Sequence, residues 1–359
     1  MKIAIINTIK PQPESGDGIT EITYKLYSIL KKKHSVDLIY PLNVSRRNDI
    51  LGLLYANTFF KLKIGKLAHS DYDIIHIANH ELGYVAKILR KSNTKAKIVS
   101  TIYDVVRVKT GFRNGFIHGI YNQIITGSIR DAVEFSDSII FCASSVVGDV
   151  RQRFPQLGKN WKVVYLGQPN ENFVKRPIQK KRRTGPFRIG YVGALSAVKN
   201  LIFTLKTAKL LLSEKSKYRF LIYGSGVKLM ELKRYKEENR LDNVHFMGFA
   251  PEKKLLGIYD SFDVFLYPGL DESTSIPVIN AQARGLPVLL YKKTKLSREM
   301  LLHSRMASDE EDAARMLEDL RANGYSRAER DAEVRYARKF TWEKASGEIE
   351  RIYKSLFKE

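Results

Sequence analysis

Short apolar runs alternate along the chain with longer amphipathic segments. The first run, Lys2–Thr8, is nearly continuous and β-branched, which is typical of a strand covered on both faces. Ile19–Lys33 follows with apolar residues at helical spacing. The alternation continues through further strands predicted at Val36–Tyr40, Asp73–Ala78, Lys97–Ile102, Ser138–Ala143 and Lys162–Leu166. Strands that alternate with helices predict a parallel sheet wound in βα units, with ligands at the carboxyl ends of the strands.

The alternation stops before residue 187 and then resumes. The interruption carries prolines and a basic run that begins at Arg176, and it predicts a linker at 173–186. After it, strands are predicted at Phe187–Val192, Arg219–Tyr223, Val244–Met247, Val264–Tyr267 and Val288–Tyr291. The sequence therefore predicts an α/β protein with two doubly wound, Rossmann-like domains at 1–172 and 187–340, followed by a terminal helix at 341–359.

The charge balance narrows the classes of protein that fit. The 359 residues include 61 Lys and Arg against 38 Asp and Glu, a net charge of +23 that is spread over both halves. Because the basic helix or basic–aromatic sheet pattern of nucleic-acid binders is missing, we expect no nucleic-acid partner.

A single cysteine, Cys142, excludes a disulfide scaffold and a cysteine-built zinc site. No apolar run is long enough for a signal peptide or a membrane span, so we expect a cytoplasmic protein.

Three loops that follow strands of the second domain carry the candidate chemistry. Gly193–Asn200 joins a strand to a helix, so backbone N–H groups, the helix dipole and Lys199 suit an anion, although a plain turn with a solvated lysine has the same sequence. Gly224–Gly226 repeats this arrangement after the next strand. Asp271–Pro277 holds two acids and three hydroxyls before a helix start. This composition suits a pyrophosphate beside sugar hydroxyls, and it also suits a helix-capping loop.

The order and spacing of these stretches resemble the nucleotide-binding half of the family-4 retaining glycosyltransferases, which have the GT-B fold. The matching segments, YVGALSAVKN, FLIYGSG, NVHFMGFAPEKKLLGIYDSFDVFLYP, DESTSIPVINAQARGLPV and FTWEKASGEIERIYKSL, span residues 187–359. The first domain matches more loosely, at ESGDG, YDIIHIAN and VSTIYDV. The resemblance implies two domains that face each other across a cleft, with the terminal helix crossing back to the first. It also implies a nucleoside-diphosphate sugar such as a UDP- or GDP-hexose on the second domain and a hydroxyl acceptor on the first.

The resemblance also implies roles for particular residues. Lys199 would bind donor phosphate, Glu272 would contact the transferred sugar, and Tyr103 stands in the place of a histidine of the family. His80 and Asp104 are then candidates for acceptor binding. Donor binding is assigned to the glycine loops, to a strand end and to the start of the helix after Asp271, namely to Gly16, Gly18, Gly193, Gly224, Gly226, Met247, Gly248, Ser273, Thr274, Ser275, Ile276, Val278 and Asn280. The transfer would retain configuration and need neither a metal nor a cofactor.

Three positions depart from the family pattern. Asn280 stands in place of a second glutamate, and an amide accepts one hydrogen bond and donates one where a carboxylate accepts two. Ala194 replaces an arginine of the phosphate loop. Tyr103 cannot serve as a base near neutral pH, because its reference pKa is about 10.

The departures leave two interpretations open. Either the site is rebuilt with other residues, among which His76, His80, Arg107 and Arg188 are candidates, or the chain is a non-catalytic GT-B protein that binds a nucleotide sugar or assists a partner enzyme. His76 alternates within an apolar strand and is typical of a packed core histidine. His80 follows the strand end, where it is either a site residue or a solvated loop residue.

The stretch Asp49–Ala68 is the candidate for contact with an anionic membrane. Its apolar and aromatic residues lie beside Lys61, Lys63 and Lys66. A basic amphipathic helix binds an anionic interface, and a core helix with snorkelling lysines has the same pattern. The sequence leads us to expect a retaining glycosyltransferase that acts on a hydroxyl acceptor. The candidate acceptor is a lipid-linked or envelope glycan, and the candidate location of the protein is the inner face of the cell membrane. The oligomeric state is not encoded in these patterns.

Overall fold

The computed structural model describes residues 1–12, 18–41, 60–61, 63–105, 115–165, 173, 185–214, 217–270 and 272–358, of which 115–121 by their backbone alone. Gly16, Arg107, residues 49–59 and most of the predicted linker lie outside the described residues. The chain divides into two compact units. The N-terminal unit comprises Met1–Pro169 with Trp342–Glu359, and the C-terminal unit comprises Asn170–Thr341.

The N-terminal unit is built on a parallel sheet of six strands in the order β2-β1-β3-β4-β5-β6. The strands are β1 (Lys2–Ile6), β2 (Ser35–Ile39), β3 (Ile74–Ile77), β4 (Lys97–Ile102), β5 (Ser138–Phe141) and β6 (Trp161–Val163). The helices are α1 (Gly18–Leu30), α2 (Tyr84–Lys91), α3 (Gly115–Phe135) and α4 (Ser144–Arg153), with a 3₁₀ turn at His80–Leu82.

Helices cover both faces of this sheet. Ile3, Ala4, Ile5 and Ile6 of β1 are all fully buried, as the continuous apolar run predicted. The face that carries Ala4 and Ile6 packs against apolar residues of α2, which include Val85 and Leu89. The terminal helix, α12 (Trp342–Ser355), belongs to this unit and packs with α1 over residues of β4 and β5.

The candidate membrane stretch is described only from residue 60 onward. Residues 60, 61 and 63–67 are helical, and Phe60, Ile64 and Ala68 are buried in the core beside β1 and β3. The ammonium group of Lys61 lies 5.9 Å from the ring centre of Tyr84. This described part therefore has the core-helix arrangement, with its lysines outside the core. No helix among the described residues is long and apolar enough to span a bilayer.

The C-terminal unit repeats the architecture, with six parallel strands in the order β12-β11-β10-β7-β8-β9. The strands are β7 (Phe187–Val192), β8 (Tyr218–Tyr223), β9 (Val244–Gly248), β10 (Val264–Tyr267), β11 (Val288–Tyr291) and β12 (Arg305–Ala307). The helices are α5 (Leu201–Leu210), α6 (Leu229–Glu238), α7 (Glu252–Asp260), α8 (Ile276–Ala283), α9 (Arg298–Leu301), α10 (Glu310–Asn323) and α11 (Arg327–Ala337). Two doubly wound sheets are thus confirmed.

The first residue of the predicted linker, Phe173, belongs to the second core. Phe173 is fully buried, its ring lies 5.4 Å from that of Tyr259, and its carbonyl accepts a hydrogen bond of 3.3 Å from Arg284. Arg284 also forms a two-pronged ion pair with Asp260, at 2.7 and 3.0 Å. The start of this unit is therefore bound to α7 and α8, and α8 begins within the predicted Asp271–Pro277 loop.

Candidate functional site

The loops after β7 and β8 approach each other so closely that glycine is required. A Cβ atom on Gly224 would lie 1.8 Å from the carbonyl oxygen of Gly193, and one on Gly226 would lie 2.5 Å from that of Leu195. Both glycines have positive φ angles, 140° and 153°. Backbone hydrogen bonds from Gly193 to Tyr223 (3.0 Å) and from Leu195 to Ser225 (2.8 Å) hold the loops together. Gly224 and Gly226, which are predicted to bind the donor, thus allow the two loops to pack closely. At this contact both loops present only backbone atoms.

The loop after β7 is also tied to the loop after β10. Leu270 N–H donates to the Val198 carbonyl at 2.9 Å, and the Asn200 amide donates to the Pro268 carbonyl at 3.3 Å. Asn200 adopts a left-handed conformation (φ 51°) between the 3₁₀ turn Ala197–Lys199 and α5. Lys199 therefore precedes the helix rather than opening it, and it faces the loop after β10.

This arrangement brings Lys199 and Glu272 together as an ion pair, at the carboxyl edge of the sheet. Their side chains are 14% and 21% exposed, so both are partly shielded from solvent. Lys199 also donates to the Tyr267 hydroxyl at 3.1 Å. Glu272 Oε1 accepts from Lys199, whereas Oε2 is buried and has no hydrogen-bond partner among the described residues. A carboxylate oxygen without a donor is suited to accept one from a ligand hydroxyl.

Two tyrosines of the strands that precede these loops, Tyr191 of β7 and Tyr267 of β10, contact each other and residues of the loops. The rings of Tyr191 and Tyr267 are stacked, with their centres 6.2 Å apart. The Tyr191 hydroxyl donates to the Ala194 carbonyl at 3.0 Å and so fixes the loop after β7. Burial first, and then the charge of Glu272, raise the pKa of Tyr191 well above its ordinary value, so this hydroxyl keeps its proton.

Helix α8 and the loop before it carry buried polar side chains whose oxygens have no hydrogen-bond partner among the described residues. Ser273, Ser275 and Asn280 are 3–5% exposed, and their side-chain oxygens accept or donate no hydrogen bond among the described residues. Ser275 is the residue before the helix, yet it forms no side-chain cap. The first-turn N–H groups of a helix point toward an anion placed there, and an unsatisfied buried polar group costs about 1–3 kcal/mol. The side chain of Ser275 therefore does not cap the helix, and that these residues bind a diphosphate stays a prediction.

The remaining donor candidates of this unit lie at the same edge. Gly248 has a positive φ of 75°, and its carbonyl accepts a hydrogen bond of 2.7 Å from Gly224 N–H. Met247 is half exposed, and the exposed Phe249 directly follows β9. Thr274 and Ile276 are partly exposed, whereas Val278 is fully buried in α8. That these residues hold a base and a diphosphate stays a prediction.

Residues of the N-terminal unit also gather at the carboxyl edge of their sheet. His80 follows β3 and Tyr103 follows β4, and their rings are 6.5 Å apart. His80 is only 6% exposed, so the solvated-loop interpretation of His80 is wrong; the 3₁₀ turn buries it. The Tyr103 carbonyl accepts a hydrogen bond of 2.8 Å from Cys142. Asp104 accepts one of 2.8 Å from the Val105 N–H, and Gly18 is the first residue of α1.

Two residues considered for a rebuilt site lie elsewhere. His76 is fully buried in β3, where its ring nitrogens contact the Tyr353 hydroxyl at 2.6 Å and Thr101 at 2.7 Å, which confirms a core histidine. Arg188 is the second residue of β7 and pairs in register with Arg219 of β8. It therefore lies at the amino end of the strand, at the edge opposite the candidate site.

Several residues of the two edges are absent from the sequence assignments. Asn7, directly after β1, is fully buried, and its amide has no partner among the described residues. Ser297 is 1% exposed with an unpartnered hydroxyl, and its N–H donates to the Ser273 carbonyl at 2.9 Å. Asn7 and Ser297 lie in the segments that follow β1 and β11, and ligands of such sheets bind at the carboxyl ends of strands. This rule could therefore have identified both residues as candidates from the sequence. No sequence pattern indicates a role for Tyr191 and Tyr267, because aromatic residues are common in buried strands. Among the described residues no cluster of His, Cys, Asp and Glu has an arrangement that would hold a metal ion.

Comparisons with known proteins identify similar sequences and similar structures. Residues 173–339 match the family described as glycosyl transferases group 1. D-inositol 3-phosphate glycosyltransferase of Corynebacterium aurimucosum is 32% identical over 117 residues, which are 31% of this chain and only 27% of that relative. The chain therefore spans about a quarter of the length of this curated relative.

Solved structures match over nearly the whole chain. Sucrose-phosphate synthase from Thermosynechococcus elongatus superposes with a TM-score of 0.80 at 17% identity, covering 99% of both chains. HepE of Anabaena, solved in complex with UDP-glucose, gives a TM-score of 0.71 at 14% identity, covering 99% of this chain and 100% of that one. At these identities the likeness establishes the fold. The chain thus has the GT-B fold, and its C-terminal unit matches the glycosyl transferases group 1 family.

Proposed function

We propose that the protein is a retaining glycosyltransferase that moves a sugar from a nucleoside-diphosphate sugar to a hydroxyl acceptor. The observation that carries this proposal is the juxtaposition of Lys199 and Glu272 with the unpartnered hydroxyls of Ser273 and Ser275. A cation, a carboxylate with one unpaired oxygen and a helix start together match a diphosphate joined to a polyol.

The chemistry follows from these groups. In the transfer, the bond between the anomeric carbon and the diphosphate oxygen breaks, and its electron pair goes to that oxygen. Lys199 and the N–H groups at the start of α8 would stabilise the charge that develops there, without any bound metal or cofactor. Glu272 would accept a hydrogen bond from a sugar hydroxyl and face the electron-poor ring. The acceptor oxygen then bonds to the same face of the anomeric carbon, and its proton passes to the leaving phosphate.

The donor and acceptor are proposed at the level of chemical class. HepE was solved with UDP-glucose, which makes UDP-hexoses the first donors to examine, followed by GDP-hexoses. The inositol-phosphate relative supports a polyol hydroxyl as acceptor. We assign acceptor binding to the carboxyl edge of the N-terminal unit, where His80, Tyr103 and Asp104 are gathered. A lipid-linked or envelope glycan and an anionic membrane surface remain our candidates for the cellular acceptor and place of action.

A non-catalytic nucleotide-sugar-binding protein is the second candidate, and Ala194, Asn280 and Tyr103 favour it. One experiment separates the two. The purified chain is incubated with UDP-, GDP- and ADP-hexoses, and nucleotide release is measured beside a thermal-shift titration of each compound. Thermal stabilisation together with release supports the enzyme. Stabilisation without release over a panel of sugar and polyol acceptors would support the binding protein, and neither effect would contradict both.

A further inference from the structure

The ammonium group of Lys199 contacts a charged partner and a neutral one. It donates a hydrogen bond to Glu272 Oε1 and another, of 3.1 Å, to the hydroxyl of Tyr267. Under the proposed function Glu272 contacts the sugar and Lys199 contacts the diphosphate, so a bound donor changes the ion pair. The contact with the Tyr267 hydroxyl needs no such change, because this hydroxyl is uncharged and the proposed function gives it no ligand.

The side chain of Tyr267 is rigidly placed. It is fully buried at the carboxyl end of β10, which pairs with β7 on one side and with β11 on the other. Its ring is stacked against Tyr191 of β7, at 6.2 Å and an angle of 12°, and against Phe265 of its own strand, at 6.4 Å and 16°. A buried ring packed in this way has little freedom to change its rotamer, so its hydroxyl is a fixed point at the edge of the sheet.

The loop after β10 is shaped to pass the hydroxyl end of this ring. A Cβ atom on Gly269 would lie 2.7 Å from the ring of Tyr267 and 3.0 Å from its hydroxyl oxygen, so a side chain there would displace the ring. The Lys199 nitrogen is 5.4 Å from the ring centre and 3.1 Å from the hydroxyl oxygen. The ammonium group is therefore nearer to the hydroxyl than to the ring centre, and the hydroxyl is the group that orients it.

We propose that Tyr267 is a positioning residue of the donor site, whose hydroxyl holds the Lys199 ammonium at the diphosphate while Glu272 contacts the sugar. The proposal rests on the proposed function and adds to it a residue that neither the motifs nor the family resemblance assigns. A cation that is already oriented stabilises the charge developing on the leaving oxygen without reorganising during the reaction. Tyr267 acts through Lys199 and does not itself contact the reacting atoms.

The test is the variant Tyr267→Phe in the full chain, which removes the hydroxyl and keeps the stacked ring. Titration calorimetry measures the Kd for UDP and for GDP, and nucleotide release from the best donor measures kcat/KM. The lost hydrogen bond orients a cation whose contribution grows as charge develops, so we expect the Kd to rise about threefold and kcat/KM to fall about tenfold. Melting temperatures show whether each variant is folded.

A double-mutant cycle tests whether Tyr267 acts through Lys199. In the Lys199→Ala background the hydroxyl has no ammonium group to hold, so adding Tyr267→Phe should leave the Kd unchanged. A merely structural role would weaken binding equally in both backgrounds. The matched control is Tyr218→Phe, because Tyr218 is also buried and has a cation near its ring, the guanidinium carbon of Arg321 at 5.6 Å, but it lies at the amino end of β8. This control should bind and turn over like the wild type.

The outcomes separate the role of Tyr267 from the proposed function. Unchanged Kd and kcat/KM in the folded Tyr267→Phe variant would overturn the positioning role while leaving the donor site intact. An equal effect of Tyr267→Phe with and without Lys199 would also overturn it, because the hydroxyl would then not act through the ammonium group. If the wild-type chain binds neither UDP nor GDP and releases nucleotide from no donor, the proposed function fails first, and the role of Tyr267 fails with it.

Discussion

At the scale of single residues, the candidate donor site combines an ion pair with buried polar atoms that have no hydrogen-bond partner among the described residues. Lys199 is held by Glu272 and by the Tyr267 hydroxyl, and one buried oxygen of Glu272 has no hydrogen-bond partner in the part of the chain that the structure describes. Exchange of the Glu272 partner for a phosphate would cost Lys199 little, because the new partner is also an anion. The pair therefore holds both groups in place while they remain available to a ligand.

Replacing either member of this pair should impair sugar transfer. We expect Lys199→Ala and Glu272→Ala each to lower kcat/KM by about a hundredfold or more, since each removes an oriented charge from the leaving group or the sugar. The assay is nucleotide release from the best donor. Lys217→Ala, at the opposite edge of the sheet, serves as the control. Near-wild-type turnover in either site variant would contradict the assignment of these two residues.

Gly224 should be intolerant of any side chain. In Gly224→Ala the new Cβ would overlap the Gly193 carbonyl at 1.8 Å, and the positive φ adds strain, so we expect a loss of about 3 kcal/mol or more in the free energy of unfolding. Gly257→Ala is the matched control, because Gly257 lies within α7 with no heavy atom near its Cβ position. That variant should be stabilised by up to about 1 kcal/mol. Urea unfolding measures both, and similar values for the two variants would be inconsistent with the close loop contact.

At the scale of elements, the terminal helix α12 is fastened to the first sheet by a buried polar contact. His76 of β3 lies between the Tyr353 hydroxyl of α12 and Thr101 of β4. Burial lowers the pKa of His76 to about 3, so the ring is neutral in the folded protein at neutral pH. The unfolded chain takes up a proton below pH 6.5, whereas the folded protein does not until about pH 3.

This difference predicts a pH dependence of stability with a definite sign. Between about pH 6.5 and pH 3 the unfolded state binds more protons at His76, so stability falls as the pH falls, by up to about 1.4 kcal/mol per pH unit from this residue. His76→Gln should flatten the slope of unfolding free energy against pH over this range. The exposed His69→Gln should keep the wild-type slope. Identical slopes in all three proteins would show that His76 does not titrate in this way.

The elements also differ in how well their pattern foretold them. The apolar strands β1 and β10 are buried on both faces, and the continuous apolar runs in their sequences predict this burial. Strand β12 is only three residues long, Arg305–Ala307, and contains no apolar run, so it is recognisable only through its pairing with β11. Helix α11 begins at a capping box of Ser326 and Glu329, which is a local signal that the sequence itself contains.

At the scale of the whole molecule, the chain begins and ends in the same unit. Trp342, Ala345, Ile349 and Tyr353 of α12 are buried against α1 and the first sheet, although they are more than 300 residues from α1 in the sequence. Each large apolar side chain buried in this way contributes about 1.5–3 kcal/mol. Together they are comparable to the whole stability of an ordinary domain, about 5–15 kcal/mol.

Deleting residues 342–359 should therefore unfold or strongly destabilise the N-terminal unit and spare the C-terminal one. Hydrogen exchange of the truncated chain should show lost protection in β1 and β3 and retained protection in β7 and β10. A full-length chain with Lys354→Gln, which alters α12 only at its exposed side, is the control. Protection lost equally in both units would mean that the two sheets do not fold as the separate units that their cores indicate.

The sequence by itself determined the class of fold, because buried parallel strands need continuous apolar runs and crossover helices need amphipathic ones. It also determined the spacing of Lys199 and Glu272 after their strands, and hence the edge of the sheet at which they lie. Only the tertiary structure decided that these two form an ion pair, that Gly224 and Gly226 serve a backbone contact, and that Ser297 joins Ser273. The physical reason is that strand order, and not chain order, sets which loops are neighbours: β10 lies between β7 and β11, and no local pattern records that arrangement.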